Sequence, residues 1–70
     1  MYDVKPRLSE ILKELDMTQT TLANKSQVPQ SAISRFDKNE QHKDIHLISI
    51  SKALDISIED LFHITEKKDA

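Results

Sequence analysis

The sequence contains no cysteine and no glycine. Without cysteine there is no disulfide framework and no thiolate metal site, a composition that fits a reducing compartment. Without glycine there is no glycine-rich phosphate loop. Turns that need a positive φ fall to Asn or Asp, the next most tolerant residues. Asp16, Asn39 and Asp55 stand where helices should end and are the candidates for that conformation. Long apolar runs are missing too. The opening MYDVKPRLSE holds no signal-peptide core, and no stretch approaches membrane-spanning length. A soluble, cytoplasmic protein is expected.

Strong charge of either sign is also absent. The net charge is −2 over 70 residues, which by itself does not favour a polyanionic partner. Its distribution is uneven. Residues 1–16 carry three basic and four acidic side chains, and residues 44–70 carry three and six. Residues 17–43 carry Lys25, Arg35, Lys38 and Lys43 against Asp37 and Glu40, a local excess of +2. A field of this kind can steer a partner even when the total is slightly negative. His42 adds to it at lower pH. Lys67 and Lys68 read as a solvated tail.

What is present is helical periodicity. Leu8, Ile11, Leu12 and Leu15 follow the i, i+3, i+4, i+7 stripe of one buried face, so a first helix is expected over residues 6–15, with Pro6 in its first turn. A second should follow Thr18, whose hydroxyl can cap the free amides, and end near Lys25. Met17 and Leu22 have the spacing of a hydrophobic staple around that cap. A third is expected over residues 29–38, with Val28 and Ile33 repeating the staple around Pro29. Proline offers no side-chain acceptor, so this helix starts uncapped and an anion could fill the role. DKNEQHKD reads as a polar loop. Asp44 can cap a fourth helix over residues 45–54, with Leu47, Ile50 and Leu54 as its stripe and Ile48 and Ala53 beside it. Ser57 and Asp60 approach the capping-box pattern, with Ile56 and Leu61 as staple, so a fifth helix is expected there.

No segment alternates with period two for long enough to suggest a sheet. The expected fold is therefore all-α, a compact bundle of about five short helices forming one domain over residues 1–70, with 65–70 a frayed tail. Leu8, Ile11, Ile33, Phe36, Leu47 and Leu61 are its expected core.

The middle of the chain has the makings of a helix-turn-helix. Such a unit needs a small residue where its helices cross, apolar residues that pin the second helix, and a polar outer face to meet base edges. Ala23 supplies the crossing residue. Leu22, Val28, Ile33 and Phe36 supply the apolar contacts. Gln30, Ser31, Ser34, Arg35 and Lys38 remain outside. Glutamine can pair with adenine, and arginine with guanine, through two hydrogen bonds in the major groove. Lysines lack the planar fork and suit phosphates better.

MTQTTLANKSQVPQSAISRF followed by LISISKALDISIEDLF resembles the lambda-repressor-like Cro/Xre helix-turn-helix family, over about residues 8–62. The resemblance implies a bundle of about five helices that binds operator DNA, usually as a dimer. It implies base contacts at Gln30, Ser31 and Arg35. Backbone contacts are implied at Thr18, Gln19, Ser34, Lys38 and Lys43. One departure is visible: the family often has glycine in the turn between the two helices, where this chain has Gln27, and after helices three and four, where it has Asn39 and Asp55. The expected function is a sequence-specific transcriptional regulator, a repressor of the phage or mobile-element kind. Dimerisation is expected through Leu61, Phe62 and Ile64 near the chain's end.

Two other readings share the fold. A protein-interaction module, antirepressor- or antitoxin-like, would suit the acidic C-terminal half. A nucleoid protein would bind DNA with little preference, which Gln30 and Arg35 argue against. His42 and His46 lie four apart, but the boundary at Asp44 splits them and no third ligand is near, so no metal site is expected; His42 is read as a loop residue near a phosphate. No serine or aspartate has a convincing base partner, so no enzyme, cofactor or small-molecule ligand is expected.

Overall fold

The computed structural model describes residues 1–67. Strand β1 (Tyr2–Pro6) is followed by α1 (Leu8–Glu14), α2 (Gln19–Ser26), α3 (Gln30–Arg35) and α4 (Asp44–Leu54), then a 3-10 turn at Glu59–Leu61 and strand β2 (Phe62–Glu66). Among the described residues no helix is long and apolar enough to cross a membrane.

The all-α expectation is overturned by the strands. β1 and β2 pair antiparallel, with Tyr2 opposite Glu66, Val4 opposite Ile64 and Pro6 opposite Phe62. Pro6 therefore ends a strand instead of opening a helix. The residue before a proline is pushed toward extended backbone, which carries Lys5 and its predecessors into β1. The fifth helix also fails to form. Its capping box does close, Ser57 N donating to Asp60 Oδ2 at 3.2 Å and Asp60 N to Ser57 Oγ at 3.3 Å, but it closes a single 3-10 turn. Phe62, Ile64 and Thr65 are aromatic or β-branched and favour a pleated surface over a further helical turn. The expectation of a frayed tail from residue 65 fails at its start: Thr65 and Glu66 are paired, and Lys67 N donates to Met1 O. Lys68 and the rest of the tail lie outside the described residues.

Leu8, Ile11, Leu12, Leu22, Val28, Ile33, Phe36, Ile50, Leu54 and Leu61 form one buried core, with Leu47 and Ala53 partly buried against it. Leu15 falls at the end of α1 and is half exposed, and Ile48 is also exposed. Asp16 and Asp55 adopt positive φ (52° and 56°), as their positions suggest. Asn39 does not; the third such residue among those described is Gln27. Lys43, not Asp44, is the N-cap of α4. Asp44 begins the helix, where its charge still opposes the helix dipole favourably.

Three polar contacts tie distant segments together. Arg7 Nε donates to the Asp60 carbonyl at 2.9 Å, and Arg7 also pairs with Glu10 and Glu14. His63 Nε2 lies 2.6 Å from Glu10 Oε2. The hydrogen bond from His63 is the main cause that holds the Glu10 carboxyl below its usual pKa, with the His63 and Arg7 charges adding to it against some desolvation. A carboxylate depressed on folding contributes stability above its unfolded pKa and loses it as pH falls through the folded value.

The third contact is Asp37. Its Oδ1 accepts from Leu8 N at 2.8 Å and its Oδ2 from Ser9 N at 3.0 Å. Arg7, the N-cap residue of α1, makes no side-chain cap bond, so α1 is capped from beyond the end of α3. Removing such a cap costs about 1–2 kcal/mol. Asp37→Ala is expected to lower the thermal midpoint by at least about 5 °C, with Asp37→Asn losing less because one acceptor remains. Unchanged melting of Asp37→Ala by circular dichroism would show that the cap contributes nothing.

Candidate nucleic-acid interface

α2 begins at a formed cap. Thr18 Oγ1 accepts from Thr21 N at 3.1 Å and donates to Thr21 Oγ1 at 2.9 Å. Gln19 follows, half-buried, and Thr18 is exposed beside it. Met17 packs against the core that buries Leu22, as a staple requires.

The turn into α3 spans residues 27–29. Gln27 takes the left-handed conformation (φ 63°, ψ 17°), the role glycine fills most cheaply. Its side-chain Nε2 offsets part of the cost by donating to Asn24 O at 2.9 Å. Ser26 completes the turn: its Oγ donates to Leu22 O at 2.7 Å and accepts from Val28 N at 3.2 Å. Ser26 is buried, and the sequence reading passed over it. Its signal was positional, since it lies four residues after Leu22 on the buried stripe.

α3 is pinned from one side. Ile33 and Phe36 are buried, and Ala32 and Ala23 of α2 are partly buried against the same core. Pro29 is the N-cap without a side-chain bond. Gln30, Ser31, Ser34 and Arg35 are all exposed. Their spacing, i, i+1, i+4 and i+5, puts them on one face. Ser34 Oγ donates to Ser31 O at 3.1 Å, which leaves its acceptor lone pairs open.

Behind α3, His42 folds back over the core instead of projecting toward a phosphate. Its ring stacks on Phe36 at 4.0 Å and meets Phe62 edge-on at 5.9 Å. Nε2 lies 2.7 Å from the Phe36 carbonyl, which can only accept, so Nε2–H donates. The loop after α3 is thereby fastened to the end of the helix. Lys38 and Lys43 stand exposed on either side of that fastening, and Lys25 is exposed at the end of α2. Among the described residues, the ion pairs involve only Arg7 and His63 as cations. Among those residues, Arg35, Lys25, Lys38 and Lys43 are therefore not neutralised by a neighbouring acid.

Of the residues expected at a subunit interface, Leu61 is fully buried and serves the core. Phe62 is half-buried against Phe36. Ile64 is exposed.

A short helix buried on one side, polar and cationic on the other, and joined to its predecessor by a three-residue turn defines a helix-turn-helix DNA-binding domain. The chain belongs to the Cro/C1-type HTH DNA-binding domain family, whose model matches residues 7–67. It is accordingly a DNA-binding regulator, and its partner is double-stranded DNA. Neither curated proteins nor solved structures give a match to the chain.

Proposed function

We propose that the chain is a sequence-specific transcriptional repressor, acting as a homodimer that inserts α3 into the major groove of two operator half-sites. The observation that carries this reading is the exposed face of Gln30, Ser31, Ser34 and Arg35 opposite the buried Ile33 and Phe36. Gln30 and Arg35 are the side chains able to read bases through paired hydrogen bonds; Ser31 lies between them and takes either a base edge or a phosphate. Thr18, Gln19, Ser34, Lys38 and Lys43 meet the backbone. Phosphate contacts of this kind fix register, while base contacts give selectivity. The reading assigns no catalytic step to any residue.

Selection of bound duplexes from a random pool tests it. A palindromic consensus with half-sites about one helical turn apart is expected. With about three phosphates neutralised per subunit, the log–log dependence of affinity on salt should have a slope near −5 for the dimer, an order-of-magnitude figure. A pool that yields no enriched duplex, together with salt-insensitive behaviour, would favour a protein-interaction module on the same fold.

A further inference from the structure

The β1–β2 ribbon has an unpaired edge whose chemistry is self-complementary. Arg7 N donates to Leu61 O at 2.9 Å and Lys67 N to Met1 O at 2.8 Å. These bonds fix the odd-numbered residues of β1 as those that face β2. The backbone groups of Tyr2, Val4 and Pro6 therefore point to the outer edge, and among the described residues no further strand joins it. Pro6 has no N–H to lose there, as expected of proline on an edge strand. The side chains of Tyr2, Val4 and Ile64 share one face of the ribbon. Tyr2 is 63% exposed, Val4 51% and Ile64 46%. Isolated two-stranded ribbons are marginal in water, and a free edge is a template for another strand.

We propose that a second copy of this chain pairs its β1 antiparallel with this edge, with the two-fold axis passing beside Val4. The proposal rests on the dimeric reading above and names the surface that reading needs. The register follows from charge. Only even-numbered residues can exchange bonds across the new edge. With Val4 opposite the partner's Val4, Asp3 faces the partner's Lys5 and Lys5 faces the partner's Asp3. Shifting the pairing to set Tyr2 opposite Val4 puts Asp3 against its own copy. Setting Val4 opposite Pro6 puts Lys5 against its own copy. Like charges directly opposite are destabilising, so among registers that pair at least two even-numbered residues of each strand one is selected.

The bonds are then reciprocal: each Val4 N–H donates to the other Val4 carbonyl, and each Tyr2 N–H to the other Pro6 carbonyl. Pro6 returns none, which ends the pairing and closes the dimer. The outcome is a four-stranded sheet, with Val4 and Ile64 of both copies in one apolar strip and the Asp3–Lys5 pairs on the opposite face. The outer edge of β2 lacks this property, because centring it on Ile64 sets His63 opposite Thr65 and Phe62 opposite Glu66.

Sedimentation equilibrium on the chain and three variants tests the proposal. The wild type should dimerise. Lys5→Asp sets acid against acid twice and should weaken the dimer about tenfold. Adding Asp3→Lys to Lys5→Asp reverses both charges and should restore dimerisation to within about threefold of wild type. Circular dichroism should show each variant folded. A monomeric wild type at 100 µM (an order-of-magnitude ceiling for useful dimerisation) would overturn the proposal. So would a Lys5→Asp dimer as tight as wild type, or loss of the dimer in Ile48→Asp, which would put the contact on α4. Binding to a single half-site duplex separates the two readings. Half-site binding by a monomeric wild type sinks the proposal alone; a swap-rescued dimer that binds no duplex sinks the operator reading alone.

Discussion

Phe36→Ala should leave the chain largely unfolded at 37 °C. Phe36 is 2% exposed and is the largest side chain in the core. Its ring contacts His42 at 4.0 Å and Phe62 at 5.9 Å, so it joins the end of α3, the following loop and the start of β2. Truncating a buried phenylalanine to alanine costs about 3–5 kcal/mol in transfer and cavity terms. A core in a chain this short rarely supplies more than about 3–5 kcal/mol in total. The loss is therefore comparable to the whole stability, and with no cysteine in the sequence no disulfide constrains the unfolded chain. Phe36→Leu keeps much of the volume and should remain folded, at a cost of about 1–2 kcal/mol. Thermal melts followed by circular dichroism separate these outcomes. A cooperative Phe36→Ala transition within about 5 °C of wild type would mean that the three segments hold together without the ring.

The same three segments show what could be read from the sequence. Local signals were sound where one helix turn decides the outcome. The Met17–Leu22 and Val28–Ile33 staples located the starts of α2 and α3, although α3 ends at Arg35, short of the expected Lys38, which lies in the turn that follows, and the lack of glycine pointed to Asp16 and Asp55 as left-handed residues. Composition alone did not point to Gln27, because glutamine carries no intrinsic preference for that conformation; the family resemblance did, by setting it where glycine is usual. The strands were missed for a different reason. Tyr2-Asp3-Val4-Lys5 does alternate, but over too short a span to stand out, and its partner lies at the far end of the chain. Non-local pairing leaves no local periodicity. The Ser57–Asp60 box was identified correctly yet closed only a 3-10 turn, because a cap favours starting a helix and says nothing about continuing it. Asp37 looked like the first residue of a polar loop; its role as a cap for α1 exists only once α1 and α3 have packed. The outward face of α3 was legible because burial of Ile33 and Phe36 leaves Gln30, Ser31, Ser34 and Arg35 nowhere else to point.

That face gives the second large effect. Arg35→Ala should weaken binding to the preferred duplex by about 1–3 kcal/mol for each half-site it reads and relax selectivity at one base position. Gln30→Ala should do the same at a different position. Both side chains are exposed, and Arg35 takes part in no ion pair among the described residues, so neither change should move the thermal midpoint by more than about 2 °C. Lys38→Ala should behave differently. A lysine on phosphate carries no sequence information, so its loss should weaken all duplexes about equally and reduce the salt slope by about one per contact. Arg35→Lys distinguishes the two roles within one position. It keeps the charge and loses the planar fork, so non-specific affinity should persist while the preferred sequence loses its advantage. If Arg35→Lys retains full selectivity, Arg35 acts as a point charge on the backbone. The base-reading role then passes to Gln30 and Ser31, the other polar side chains at the exposed start of α3.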